Sequence, residues 1–274
     1  MWSRKRIFLY ISILLLVAVS IKVYYDTNFF KVNHVAFQTD KLPEESSVTI
    51  VQLSDIHNHD FGEGNESLIN EVSHVDPDII VITGDLVDRK TNDLTDVFHL
   101  VEELITQNEH VYFVSGNHEW GNTHTAAIFA GLEERNVTIL DNTNTTITLG
   151  NQTLTLAGVG NSSTMHDDLI KALAGVRKEN YTVLLSHTPD ISDMSVSTPV
   201  DLILSGHTHG GQVRFPLIGG VIAPDQGFFP ALDKGTYEWE NKKYLYIDSG
   251  LGTSLLSIRF LNQSQFSVIT IEAE

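Results

Sequence analysis

Five times in this chain a short apolar run of strand character ends in a cluster of polar, chemistry-bearing residues. The clusters are Ser54-Asp55-Ile56-His57, Gly84-Asp85-Leu86-Val87-Asp88-Arg89, Gly116-Asn117-His118-Glu119, Ser186-His187 and Gly206-His207-Thr208-His209-Gly210-Gly211. Several of the preceding runs are apolar throughout, which is the pattern of strands buried on both faces. Helix-period segments alternate with them, as in a layered α/β domain. In open α/β sheets, ligands collect where loops converge at the carboxyl ends of the strands. The pattern therefore predicts one such edge, with all five clusters on it.

Strands are expected at 48–53, 78–83, 110–115, 137–140, 145–149, 153–159, 181–186, 200–205, 243–248, 255–260 and 266–271. The clearest helix is 93–107, where Leu94, Val97, Phe98, Val101, Leu104 and Ile105 fall on one stripe. Weaker helical periodicity marks 66–74, 125–135 and 167–179. No internal repeat or second domain boundary is evident, so 48–274 reads as one catalytic unit.

The amino terminus is of a different character. Residues 1–25 hold Arg4, Lys5, Arg6 and Lys22 and no acid, leaving 13 basic against 35 acidic groups, a charge of −22, for the remainder. Residues 7–25 are apolar apart from Lys22 and two serines. As a helix rising about 1.5 Å per residue, they nearly match a hydrocarbon layer of roughly 30 Å. A retained transmembrane anchor is expected, with the basic stub in the cytoplasm and the acidic remainder outside. The alternatives are a signal peptide with a poor Ala18-Val19-Ser20 cleavage site, giving a secreted protein, and a buried core helix. Residues 26–47 read as a lead-in between the anchor and the first core strand.

Composition narrows the chemistry. With no cysteine, thiol nucleophiles, disulfides and Cys-ligated metals are excluded, so any metal must be held by His, Asp, Glu or Asn. A net charge of −18 argues against nucleic acid as a partner. Asp55 and His57 are two apart, as are His207 and His209, and an extended chain turns such pairs to one side. Asp55, His57, Asp85, Asn117, His187, His207 and His209 together supply seven donors, more than one tetrahedral ion would use. The excess suggests two divalent ions sharing a carboxylate, and imidazole with carboxylate and amide oxygen suits Mn, Fe, Zn or Ni. Such a pair can activate a bridging water for phosphoryl displacement. A lone Asp-x-His or His-x-His at a strand end is most often a turn cap, so the weight lies in all five recurring in order.

In this order the clusters resemble the calcineurin-like metallophosphoesterase superfamily, whose pattern runs D-x-H, G-D, G-N-H-[DE], H and G-H-x-H over about residues 48–248. The run Gly206 to Gln212, the later Gly250-Leu251-Gly252 and the apolar amino terminus further resemble its small, membrane-associated bacterial members. The resemblance implies a two-sheet β-sandwich flanked by helices in four layers. It also implies that Asp55, His57 and His209 hold one metal, that Asn117, His187 and His207 hold the other, and that Asp85 bridges them. A hydroxide between the metals would attack phosphorus while His118 assists the leaving group, and phosphodiesters are favoured over monoesters.

Beyond that set, Asp88 is a candidate to orient a ligand histidine, Arg89 to pair with phosphate or a local acid, and His59 to touch substrate. Glu119 is expected to be structural rather than a base. Phe228, Phe229, Tyr237 and Trp239 are expected to pack in the core or its rim, with a pocket wall or lipid contact as the alternative. One departure stands out: relatives commonly carry Pro-Glu near the last strand, where this chain reads Leu261-Asn262-Gln263-Ser264-Gln265-Phe266. That affects the closing edge of the sheet and need not affect catalysis. The expected activity is hydrolysis of small or lipid-linked phosphodiesters. A phosphomonoesterase or nuclease is the enzymatic alternative, and a metal-stabilised surface binding protein the non-enzymatic one.

Overall fold

The computed structural model describes residues 4–189, 198–240, 242–254 and 256–274. The chain opens with α1 (Arg4–Asn28), β1 (Lys31–Thr39), β2 (Ser47–Leu53), α2 (Glu66–Val75), β3 (Ile79–Thr83), α3 (Thr95–Gln107) and β4 (Val111–Val114). It continues through α4 (Asn117–Gly121), α5 (Thr125–Glu134), β5 (Thr138–Ile139), β6 (Thr143–Leu149), β7 (Gln152–Gly158), α6 (Leu169–Ala172), β8 (Tyr181–Leu185) and β9 (Leu202–Ser205). Four two-residue strands follow, β10 (Arg214–Phe215), β11 (Gly219–Gly220), β12 (Ile222–Ala223) and β13 (Gly227–Phe228), before β14 (Gly235–Glu240), β15 (Lys243–Ile247) and β16 (Gln265–Ala273).

Two six-stranded sheets form the body, in the orders β1-β16-β2-β3-β4-β5 and β14-β15-β9-β8-β7-β6. Strands β2 to β5 are mutually parallel, and so are β7, β8, β9 and β15. Strand β3 shows why the central runs are apolar at every position. Its Ile79 and Val81 face the core between the sheets, while Ile80 and Ile82 face the helices. On α3 the buried residues Val97, Leu100, Val101 and Leu104 recur at helical spacing and close the outer layer with α2 and α5. Burying each such side chain contributes about 1.5–3 kcal/mol. A smaller cluster under α6, including Ala172, Leu184 and Ile203, covers the far side of the second sheet. The four layers expected from the resemblance are present.

Three expectations are corrected. Residues 31–39 are more than a connector: they form β1, which pairs in parallel with β16 at the sheet edge. The strand expected at 255–260 does not form over 256–260; Leu255 lies outside the described residues, and Phe260 makes only an isolated bridge to Val213. The helix expected at 167–179 shrinks to Leu169–Ala172. Gly175, three residues beyond that helix, has φ 77°, a left-handed conformation that breaks helical continuity.

Helix α1 is long and apolar enough to cross a membrane, and its apolar stretch is exposed. Only its last turn meets the domain. Asp26 and Thr27 are buried there, and Lys22 Nζ lies 2.6 Å from Asp26 Oδ1.

Candidate metal centre

Each predicted donor sits past a strand carboxyl end: Asp55 and His57 after β2, Asp85 after β3, Asn117 opening α4 after β4, His187 after β8, and His207 and His209 after β9. Gln52 joins the two sheets beneath the site, its Nε2 donating to Thr83 Oγ1 and to the Ser205 carbonyl, both at 2.9 Å. The loops turn sharply. Asp55, His57, Asp85, His207 and His209 all have φ between 49° and 68°, the left-handed region that side chains other than Gly seldom enter. Such conformations persist only where their surroundings over-determine them, and they gather at functional sites.

The surroundings here are dense. Asp55 accepts Ser54 Oγ at 2.6 Å and the His207 amide at 3.0 Å, while Asp85 accepts the His118 amide at 2.8 Å. A Cβ on Gly206 would collide with Ser54 Oγ and Asp55 Oδ2, so only glycine lets these loops meet. Buried Glu119 gathers two loops at once. Its carboxylate accepts amides from Gly116 at 2.8 Å, Asp85 at 2.9 Å and Val87 at 3.2 Å. Burial, reinforced by the nearby Asp85 charge, pushes that carboxyl up to about 7 against the Gly116 and Val87 amides. Glu119 thus ties the Asp85 loop to the start of α4.

Six of the seven donors converge as two sets, and Asn117 lines the cavity beside them. Asp55, His57 and His209 form one group and Asp85, His187 and His207 another, with ligand atoms within 4.8 Å of one another in each. In the first, His209 Nε2 is 3.5 Å from Asp55 Oδ1 and 3.3 Å from His57 Nε2. In the second, His187 Nε2 is 3.2 Å from Asp85 Oδ2 and 3.1 Å from His207 Nδ1. Asp85 Oδ2 also lies 3.6 Å from His57 Nε2, so one carboxylate oxygen faces both groups. The Oδ1 of Asn117 is buried with no hydrogen-bond partner, the condition of an acceptor reserved for a cation. His187 Nδ1 donates to the Thr83 carbonyl at 2.8 Å, which leaves Nε2 as the coordinating atom. The donor set fits divalent metal.

Electrostatics agree. Burial opposes the charged form of His187, but the Asp85 carboxylate outweighs it and pushes the imidazole up to about 10. Burial instead pushes His209 down to about 3, despite the opposing charge of Asp55. Asp85 itself is held well below the usual carboxylate range: its desolvation is overcome by His187, His57 and His118.

His118 stands beside the shared oxygen, with Nε2 3.9 Å from Asp85 Oδ2. Its Nδ1 accepts the Arg89 amide at 3.2 Å, which leaves the Nε2–H facing the centre. Asp88 Oδ2 is 3.6 Å from His118 Nδ1, and Asp88, His118 and His57 form a third group whose ligand atoms lie within 4.8 Å of one another. The Arg89 side chain lines the cavity over the site. His59 does not join the centre; its ring packs on Phe61 at a centroid distance of 4.5 Å.

Four supporting residues escaped sequence reasoning. Asp225, on the turn after β12, sets Oδ2 2.8 Å from His207 Nε2. Asp248, after β15, accepts the Gly250 amide at 2.6 Å and the Ser267 hydroxyl. The Gly252 amide in turn donates to the Asp55 carbonyl at 2.7 Å. Arg259 is wholly buried and donates to the Ser249 and Gly252 carbonyls at 2.7 and 2.6 Å. Asn262 lies in the stretch that departs from relatives, and its Nδ2 donates to the His209 carbonyl at 2.7 Å. The departure therefore touches a donor loop after all. That mismatch was the one available signal for any of the four.

The cavity over the centre measures about 530 Å³ and is lined by Asp88, Arg89, Lys90, Asn117, His118 and His209. Ile222, Ala223, Pro224 and Leu256 add apolar surface to the lining.

Fold and site together define a metallophosphoesterase. The chain belongs to the calcineurin-like phosphoesterase family, whose model matches residues 48–211, and it is accordingly a metal-dependent phosphoester hydrolase by family. It is 29% identical over 231 residues to the uncharacterised metallophosphoesterase YkuE of Bacillus subtilis, covering 82% of this chain and 79% of that one. It is also 29% identical over 248 residues to a bovine transmembrane protein with a metallophosphoesterase domain, covering 84% of this chain and 54% of that protein. A solved 5'-nucleotidase precursor from Thermus thermophilus aligns over 74% of this chain and 48% of its own at 15% identity, with a TM-score of 0.49.

Proposed function

We propose that the protein is a membrane-anchored phosphodiesterase using two divalent ions, with Asp55, His57 and His209 at one, Asn117, His187 and His207 at the other, and Asp85 shared. The observation that carries this reading is the single Asp85 oxygen facing His57 at 3.6 Å and His187 at 3.2 Å. Bound ions of the Mn, Fe, Zn or Ni type would supply Lewis acidity and a more acidic water. The chain does the rest. Asp55 and Asp85 fix the two donor groups through their amide contacts, and the His118 Nε2–H faces the reacting centre, where it can donate to a departing alkoxide or a phosphoryl oxygen. Asp88 and the Arg89 amide hold its Nδ1 side.

A diester suits the cavity better than a monoester. A diester carries one charge and a second, uncharged ester arm, and the apolar wall of Ile222, Ala223, Pro224 and Leu256 offers that arm a dry surface. Arg89 and Lys90 line the same cavity and supply positive charge for the phosphate. Residues 1–25 serve as basic stub and anchor and 48–274 as the catalytic domain, with 26–47 contributing an edge strand to it. The domain lies outside the cytoplasmic membrane. Exposed to protease added to intact cells, it should be digested; protection would place it inside, and a mature protein starting beyond residue 20 would replace the anchor with a cleaved signal.

The chemical test uses the full chain in detergent, stripped of metal and reloaded with manganese or zinc. Two ions per chain and hydrolysis of bis(p-nitrophenyl) phosphate exceeding that of p-nitrophenyl phosphate are expected. One ion, or none, would overturn the dinuclear reading. Loading without turnover of either ester would favour a binding protein.

A further inference from the structure

Between β9 and β14 the chain makes a long excursion carrying two small hairpins, β10 with β11 and β12 with β13. Their outer faces hold Phe215, Leu217, Ile218, Phe228 and Phe229, all exposed, Leu217 fully and Phe228 at 72%. Large apolar side chains clustered in this way mark an interaction surface. The adjacent segment adds Ile258 and Leu261, also exposed.

Hydrogen bonds fix where this surface lies. The Arg259 amide donates to Thr27 Oγ1 at 2.9 Å and the Ser264 amide to the Asp26 carbonyl at 2.9 Å, both in the last turn of α1. The next residue, Phe260, bridges to Val213, and its ring centroid is 6.2 Å from that of Phe215. Val221 then donates to the Val213 carbonyl, and Phe229 to the Val221 carbonyl, each at 2.9 Å. An unbroken path therefore runs from the end of α1 to the apolar tips. Tyr24, Tyr25 and Phe29, exposed at the same helix end, are the aromatic residues that favour a bilayer interface. The inner side of the second hairpin, Ile222 and Ala223 with Pro224 after them, is the apolar wall of the catalytic cavity.

We infer that the hairpin tips sit in the lipid interface beside α1 as a second membrane contact, and that this contact turns the catalytic cavity toward phosphoester headgroups carried by the bilayer. The inference rests on the reading of α1 as a retained anchor and of the cavity as the phosphodiester site. Charge favours an apolar contact over an electrostatic one: the part of the chain beyond residue 25 carries −22 and is repelled by anionic lipid, so insertion of Leu217 and Phe228 has to supply the attraction. Such a contact is insensitive to salt.

The absence of cysteine makes the test direct, because Leu217→Cys, Phe228→Cys and Ile170→Cys each give a unique site for a nitroxide label. Ile170 is 89% exposed on α6 and serves as the aqueous reference. The full chain is reconstituted in vesicles of phosphatidylethanolamine and phosphatidylglycerol, and collision with oxygen is compared with collision with a water-soluble nickel chelate. Labels at 217 and 228 should favour oxygen, and the label at 170 the chelate, at low and high salt alike. Chelate access at 217 and 228 equal to that at 170 would overturn the proposal, as would shielding from both reagents, which would point to a second copy or another protein.

The Leu217→Asp and Phe228→Asp double variant then tests delivery. Its turnover of bis(p-nitrophenyl) phosphate should match the parent, while hydrolysis of a fluorescent phospholipid diester in the same vesicles should fall at least about tenfold. Equal loss on both substrates, or none on either, would refute the delivery role. A parent chain inactive on both esters would sink the phosphodiesterase reading instead, and the label depths would still decide the surface.

Discussion

The five donor loops and the hairpin excursion from β10 to β13 lie on the same edge of the molecule and are built in opposite ways. The donor residues are buried, and three of the five loops place them in left-handed conformations where carboxylates accept neighbouring amides. The excursion is long, pairs only two residues per strand and exposes its largest apolar side chains. A centre that must hold cations tolerates little movement, so its loops are specified by many mutual hydrogen bonds. A wall that meets substrate or lipid needs shape and polarity, which loosely paired hairpins supply without further constraint.

On that contrast, damage to the donor loops costs far more than damage to the excursion. The largest effect is expected for Asp85→Asn, which removes the charge facing both donor groups. Hydrolysis should fall about 10³-fold, and elemental analysis should find fewer than two ions per chain. Full metal content with near-normal turnover would undo the contrast at its centre. His118→Ala should lower hydrolysis of an activated diester about 10²-fold while leaving metal content intact, because its ring groups with His57 and Asp88 but stands outside the two sets that face the shared Asp85 oxygen. Loss of metal together with activity would reassign His118 as a ligand.

Asp225 tests the boundary between the two regions, since it is the excursion residue that reaches a donor ring, at 2.8 Å from His207 Nε2. Asp225→Asn should weaken metal affinity about tenfold, the low end for a partner that orients a ligand, and chelator competition can read this without any activity assay. No change would leave the excursion purely a wall.

The smallest effect concerns protons. In the metal-free protein His187 is pushed up to about 10, above its unfolded value of 6.5, by the Asp85 charge that outweighs its burial. The stability from that proton is fully present below pH 6.5 and is lost as pH rises through 10. A cation must displace the proton, so loading at about pH 8 should release about one proton, and affinity should rise with pH. Calorimetry in buffers of different ionisation enthalpy would measure this, and heats independent of buffer would contradict it.

The legibility of this chain followed the same division. Buried strands announced themselves because both faces of β3 are covered, so Ile79 to Thr83 are all buried and nearly all apolar. Strand β1 escaped because it is an edge strand that mixes Asn33, His34 and Gln38 with apolar residues, and its pairing with β16 spans most of the chain. The aromatic residues expected to behave alike were divided by the fold: Tyr237 and Trp239 pack on the cluster under the second sheet, whereas Phe228 and Phe229 are exposed at a hairpin tip. All four are large aromatic residues, and their places in the fold separate the pairs.

The donor types, their order along the chain and the α/β alternation were written in the residues themselves, because these depend on local chemistry and on periodicities that survive without neighbours. Packing settled that one Asp85 oxygen faces both donor groups, that Asp225 meets His207 from 18 residues away, and that Arg259 seats the end of α1 against the loop behind Asp55. These are contacts between segments distant along the chain, set by how two twisted sheets and their loops close on each other. No local pattern encodes such a distance, because it exists only once the layers have packed.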